Sequence, residues 1–253
     1  SGCYKSGALI MRLEKLCKEI CDLLYPPDDK CIFCGSSNDL IKPYYICNEC
    51  WGALPFVKPP TCKICGKPLL DNGSKLCHEC ANHKRWFRRA GAVLEYMPSV
   101  HDAIYRYKYK GHKEMAEPFG LLMANTFKAL PWHADIDALI AVPLYPGKLS
   151  QRGYNQAALL AKNMSVELEL PIFDAVCRCK DTAAQAKLSG YKRYKNVDGA
   201  FVLKNAKVIK DLNVLIIDDI FTTGATADAC AKVLIEGGAR AAYVFTLATA
   251  IFE

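Results

Sequence analysis

Residues 214–226 read VLIIDDIFTTGAT. The apolar run from Val214 to Ile217 is short, β-branched and continuous, as in a strand buried on both faces. It delivers two carboxylates, Asp218 and Asp219, at its carboxyl end, where open α/β sheets bind their ligands. A small, hydroxyl-rich turn follows, with Thr222, Thr223, Gly224, Ala225 and Thr226. Such a turn exposes backbone N–H groups and hydroxyls and opens the N-terminus of a helix, a site for a phosphate monoester. Two acids just ahead of a phosphate cradle suit a sugar phosphate, with the acids on ring hydroxyls and the loop on the phosphate. The rest of the chain weakens the rival readings. No GxxxxGKS or GxxxxGKT loop is present to make Asp218-Asp219 the metal strand of a P-loop ATPase, and no GxGxxG follows a strand. The bland alternative is a strand end with two solvated aspartates and a capped helix.

Outward from this stretch, strands alternate with helices. Strands are predicted at 92–96, 137–142, 173–177, 199–203, 214–217 and 241–247, and helices at 114–129, 154–168 and 225–236. Apolar strands interleaved with helices argue for an α/β fold with a parallel sheet covered on both faces. A separate amphipathic helix is predicted over 8–24, where Leu9, Leu13, Leu16, Ile20 and Leu24 keep helical spacing until Pro26-Pro27 stops them.

The chain has 253 residues, 51% of them hydrophobic and 23% charged, enough to bury a substantial core. It lacks an apolar run of the roughly 18 residues a spanning helix needs. Arg12, Glu14, Lys15, Lys18 and Glu19 break the N-terminal segment, so it does not read as a signal peptide. The expected location is cytoplasmic, where thiols stay reduced, and the 14 cysteines then need a reason other than disulfides.

Eight of them supply it, as Cys31-x2-Cys34, Cys47-x2-Cys50, Cys62-x2-Cys65 and Cys77-x2-Cys80. Each pair offers two thiolates on one tight turn, half of a tetrahedral zinc site. Gly35 and Gly66 follow the first and third pairs, where the turn calls for a positive φ. The natural arrangement is two tandem ribbons, with Cys31, Cys34, Cys47 and Cys50 on one Zn2+ and Cys62, Cys65, Cys77 and Cys80 on another. An interleaved pairing, first with third and second with fourth, fits the same arithmetic. Four protein ligands per ion make both sites structural.

The 214–226 motif resembles the phosphoribosyl-pyrophosphate (PRPP) signature of type I phosphoribosyltransferases. By that resemblance the PRPP-binding residues are Asp218, Asp219, Ile220, Phe221, Thr222, Thr223, Gly224, Ala225 and Thr226. Asp218 and Asp219 contact the ribose hydroxyls, 222–226 bind the 5′-phosphate, and Mg2+ bridges pyrophosphate and ribose. A basic turn after the 137–142 strand is expected to hold pyrophosphate through Pro143, Leu144, Lys148, Arg152, Asn155 and Gln156. Further segments are Thr182-x2-Gln185, Arg193-x2-Asn196, the stretch DLLYPP at 22–27, and YKYKG at 107–111. Together with the cysteine pairs these resemble the ComF family, which joins an N-terminal zinc ribbon to a phosphoribosyltransferase domain. The resemblance implies an N-terminal helix at 1–28, a double zinc ribbon at 29–85 and a phosphoribosyltransferase-like domain at 86–253. It also implies a link to natural competence, the uptake and processing of DNA. Asp218, Asp219 and Arg193 are the expected catalytic residues. Only six residues follow Leu247, so the acceptor side is expected from residues before 114 rather than from a C-terminal hood.

The net charge is +7, and residues 178–210 alone carry an excess of +7 with Tyr191, Tyr194 and Phe201 interleaved. Three readings stand for this stretch. It is a flexible loop (Thr182, Gln185, Arg193, Asn196) closing over pyrophosphate, a groove for single-stranded DNA, or a solvated loop. Arg178 and Arg193 are its leading candidates. Lys108, Lys110 and His112 form a smaller basic patch beside Tyr107 and Tyr109, where simple solvent exposure is at least as good a reading as a functional one. Two functions follow: an enzyme moving phosphoribose from PRPP to an acceptor, or a PRPP-sensing module that binds single-stranded DNA or competence proteins.

Overall fold

The computed structural model describes residues 29–70, 73–181 and 197–251. The helix expected at 8–24 and the loop residues Thr182, Gln185, Arg193 and Asn196 lie outside the described residues. The chain divides into two compact units, Ser1–Trp51 and Gly52–Glu253.

In the first unit, β1 (Leu40–Ile41) and β2 (Ile46–Cys47) form a minimal antiparallel hairpin, with Leu40 opposite Cys47. The short helix α1 (Asn48–Ala53) begins at once after it. Ile46 is fully buried and the rings of Tyr44 and Trp51 lie 5.2 Å apart. Ile32 is buried beside the cysteine turns as well.

The second unit holds the predicted parallel sheet. After the short helix α2 (His78–Asn82) come β3 (Arg89–Glu95), α3 (Pro98–Tyr109) and α4 (Ala116–Lys128). Next are β4 (Ala138–Ala141), α5 (Pro146–Arg152) and α6 (Gln156–Leu168). Then β5 (Val176–Arg178) pairs antiparallel with β6 (Phe201–Leu203) in a ribbon of their own. Last are β7 (Asn213–Phe221), α7 (Ala225–Glu236) and β8 (Ala241–Thr249). The main sheet has the order β3-β8-β7-β4, and every neighbouring pair is parallel. All nine residues of β8 are buried, as in a strand covered on both faces, and its two threonines donate their hydroxyls to backbone carbonyls. Phe127 and Phe245 meet edge-to-face at 5.2 Å, and Trp132 stacks on Tyr243 at 5.5 Å.

Helix α7 has the predicted bounds. Strand β7 runs on past the predicted stop at Ile217, because Asp218 pairs with Thr246, Ile220 with Ala248 and Phe221 with Thr249 along β8. The acids therefore stand on a regular ladder, not in a loop. Two helices escape the sequence pattern. In α3 the buried residues Val100, Ala103, Ile104 and Tyr107 keep helical spacing, but charges and exposed tyrosines dilute the signal. In α5 no residue is buried, so no apolar period exists to find.

β3 is an edge strand, and the second cysteine ribbon covers its open side. Ala90 N–H donates to Ile64 O at 2.6 Å, and Val57 N–H donates to Val93 O at 3.0 Å. Satisfying these edge groups removes a template for mispairing. Phe87 then meets Phe221, at the end of β7, edge-to-face at 5.9 Å.

Candidate functional site

The cysteines gather as two sets of four. Cys31, Cys34, Cys47 and Cys50 form one, and Cys62, Cys65, Cys77 and Cys80 the other, with the sulfurs of each set within 4.8 Å of one another. The sets follow chain order, not the interleaved alternative. Cys34 and Cys47 Sγ lie 3.6 Å apart, as do Cys65 and Cys77 Sγ. Backbone amides point at the sulfurs, Cys47 N–H at Cys31 and Cys50 N–H at Cys47, each at 3.4 Å. Such donors favour thiolates. Gly35 (φ +80°) and Gly66 (φ +71°) take the left-handed turn expected of them. A Cβ on Gly66 would stand 2.5 Å from Ala90 O, so the turn needs glycine for space as well. Four sulfur donors and no open position fit structural Zn2+.

The acids of β7 open into a cavity of about 390 Å³ beyond the carboxyl ends of β3 and β4. Asp218, Asp219, Ile220, Thr222 and Thr226 line it from the β7–α7 stretch. Leu144, Lys148, Arg152, Asn155 and Gln156 line it from the segment after β4, and Arg178 from β5. Helix α3 and its approach contribute Tyr96, His101, Tyr105, Lys108 and Tyr109. Pro143 is not among the lining residues. Phe221, Gly224 and Ala225 border a much smaller recess of about 10 Å³, with Asp218 and Thr226. Thr223 is buried, and its hydroxyl accepts from Ala225 N–H at 3.4 Å. A separate cavity of about 490 Å³ lies against α7 beside Trp86 and Lys232, away from the acids.

Gly224 sets the turn. Its φ is +81°, and a Cβ there would stand 2.4 Å from the Phe221 ring. The turn can therefore close on the ring only with glycine, and α7 starts directly after it. The early N–H groups of a helix have no intrahelical acceptor.

Lys108 Nζ lies 2.8 Å from Asp219 Oδ1, with the two side chains only 16% and 11% exposed. Burial works against the Lys108 charge, but the Asp219 carboxylate outweighs it and holds the lysine above its usual range. Asp218 is pushed up to about 7, first by burial and then by the Asp219 charge, with Lys108 and Arg178 opposing. Its Oδ1 accepts from Asp219 N–H at 2.9 Å. Burial pulls the Arg178 guanidinium below its usual range, with Asp218 and Asp181 opposing. Lys148 Nζ lies 3.2 Å from Asp181 Oδ1.

Asn155 and Gln156 hold the frame of the site. Asn155 Oδ1 caps α6 by accepting from Ala157 N–H at 3.0 Å, while its Nδ2 donates to Val142 O at 3.0 Å. Gln156 accepts from Arg152 Nη1 at 3.1 Å and donates to Lys108 O at 3.4 Å. Arg152 also donates to the Tyr109 hydroxyl at 3.0 Å and lies 4.6 Å from its ring centre.

The small basic patch divides between its two readings. Lys110 is exposed, but Lys108 turns into the cavity. Its position four residues after buried Ile104 and beside buried Tyr107 was the available signal.

Sequence comparison finds the double zinc ribbon domain family at residues 20–81. DNA utilization protein YhgH of Escherichia coli is 29% identical over 211 residues, 80% of this chain and 89% of that protein. Competence protein F of Haemophilus influenzae is 28% identical over 231 residues, 87% of this chain and 97% of that protein. Competence protein ComFC of Bacillus subtilis is 28% identical over 228 residues, 83% of this chain and 90% of that protein. Among solved structures, the B. subtilis glutamine PRPP amidotransferase matches with a TM-score of 0.38 and 15% identity, over 55% of this chain and 30% of that one. A purine phosphoribosyltransferase of Pyrococcus horikoshii matches with a TM-score of 0.33 and 15% identity, over 53% and 72%. Along most of its length the chain is similar to competence protein F and ComFC, and the ComF resemblance read from its motifs is borne out.

Proposed function

We propose that the protein binds PRPP and transfers its phosphoribosyl group to an acceptor, releasing pyrophosphate, in the service of DNA uptake. One observation carries the reading: a single cavity gathers two strand-end carboxylates, a threonine-rich turn at a helix N-terminus, and the cations Lys148, Arg152 and Arg178. Asp218 and Asp219 suit the ribose hydroxyls. Thr222, Gly224 and Thr226, with the first N–H groups of α7, suit the 5′-phosphate. Lys148 and Arg152 suit the pyrophosphate. In the reaction the C1–O bond to pyrophosphate breaks and its electron pair leaves with pyrophosphate. The acceptor's lone pair forms the new bond to C1, and the acceptor gives up a proton. The protein's share is to align the reactants and neutralise the leaving group. Lys108, 2.8 Å from Asp219, holds that carboxylate in place for the sugar.

The two carboxylates are hard oxygen donors beside the proposed ribose position, which fits Mg2+. Bound with PRPP, that ion would supply charge stabilisation for the pyrophosphate.

A PRPP-sensing module of the transformation machinery is the second reading, favoured by the competence and DNA utilization names of the relatives. A product search separates the two. The protein is incubated with PRPP, Mg2+ and a cell metabolite extract, and pyrophosphate is measured. Release that depends on the extract supports transfer. PRPP binding without release leaves the sensing module.

A further inference from the structure

The two cysteine sets differ in what surrounds them. Cys62, Cys65, Cys77 and Cys80 are all buried, whereas Cys34 of the first set is exposed and Cys50 half-buried. Two cations are packed with the second set. The Arg85 side chain is only 2% exposed and donates to Cys80 Sγ, while its Nη2 lies 3.0 Å from Glu79 Oε2. Lys67 is also buried, close enough to feel the charges of Cys65 and Cys77. Among the described residues of the first unit the lysines are Lys30 and Lys42. Both are exposed, and Lys42 pairs with Asp29. Cys34 Sγ accepts from Ser36 N–H at 3.5 Å, at the surface, and lies 3.6 Å from Cys47 Sγ.

Four thiolates around one Zn2+ leave negative charge in excess. In the second set Arg85 and Lys67 offset it, with Glu79 restoring part. A cation that donates to a bound sulfur draws off electron density and makes it a poorer nucleophile, and burial keeps reagents away. In the first set Cys34 meets solvent with a second sulfur in reach, the arrangement of a redox-sensitive thiol with its resolving partner. We infer that the first ribbon is a redox site, oxidised at Cys34 by a peroxide, and that the second ribbon is the inert one. The Cys34 sulfur attacks one peroxide oxygen, the O–O bond breaks, and hydroxide leaves and takes a proton from solvent, giving a sulfenic acid. The Cys47 sulfur then attacks the Cys34 sulfur. The S–O bond breaks, and a second hydroxide leaves and is protonated. Two thiolates are thereby oxidised to one disulfide, and one peroxide is reduced to two waters. With Cys34 and Cys47 joined, the first set has lost half its donors and releases its ion, while Cys62, Cys65, Cys77 and Cys80 keep theirs.

The full chain, loaded with zinc at both sets, is treated with hydrogen peroxide. Freed zinc is followed with a chromogenic chelator against a peroxide-free control, and disulfides are mapped by peptide mass spectrometry as release proceeds. The expected result is release in two separate phases of equal size, with a Cys34–Cys47 bond forming in the first. Arg85→Gln should speed the second phase by about 10- to 100-fold and leave the first unchanged. Release of both ions together overturns the inference. So does a first phase without the Cys34–Cys47 bond, or one whose disulfide joins cysteines of the second set. A folded Arg85→Gln protein with an unchanged second phase overturns it as well. Should that variant fail to fold, the phases and the mapped bond of the unaltered protein decide alone.

Discussion

At Gly224 one missing methyl group decides how the phosphate turn is built. Alanine there must hold φ near +81° and push against the Phe221 ring. Gly224→Ala should cost about 1–3 kcal/mol in urea unfolding and lower PRPP affinity as well, because the turn cannot close. Lys108 and Asp219 are a different case, since each is largely buried and would be left as an unpaired buried charge without the other. Lys108→Met should destabilise by about 3 kcal/mol, and adding Asp219→Asn should recover part of that loss. A double-mutant cycle measures the coupling, and additive losses would show that the pair is not coupled. Asp218 gives a pH test. Its carboxyl titrates near 7 in the fold and near 4 when unfolded, so the native state binds the extra proton between those values. Stability from this group therefore falls as pH rises from about 4 through 7. Asp218→Asn removes the effect. Its melting temperature should exceed that of the unaltered protein at pH 8, with the gap shrinking toward pH 5; a constant gap would contradict the assignment.

The second cysteine ribbon is also an edge cover. Its turn at Gly66 abuts β3, and Ile64 O takes the Ala90 N–H. Cys65→Ser should reduce the zinc held from two sites to one and speed hydrogen exchange at Ala90. Retention of both ions would sink the ligand assignment. Elements were legible where local chemistry suffices. The β7–turn–α7 stretch combines a continuous apolar run, small turn residues and a periodic helix, and the cysteine spacing fixes each knuckle. Helix α3 was not legible as a helix, because charges and exposed tyrosines dilute its buried spacing. Helix α5 buries nothing, so its sequence carries no period. The end of β7 was misplaced because aspartates read as a strand stop, whereas pairing with β8 carries them.

For the molecule as a whole, part of the basic excess meets the cavity. Residues 178–210 carry +7, and of them Arg178 lines the cavity. The cavity itself sets Lys108 against Asp219, while Lys148 on its wall pairs with Asp181. The acids and the phosphate turn were readable in one stretch of sequence. The partners that make them a site come from segments further back in the chain, Arg178, Lys148, Arg152 and, more than a hundred residues earlier, Lys108, and the fold brings them together. Among the described residues no helix is long and apolar enough to cross a membrane. The central claim is that this assembled cavity holds PRPP. Calorimetric titration of PRPP with Mg2+ tests it, on the unaltered protein and on Asp218→Asn with Asp219→Asn. Saturable binding that vanishes in the double variant, with the circular-dichroism spectrum unchanged, is the predicted result. Equal affinity in both proteins, or no binding in the unaltered one, would contradict it.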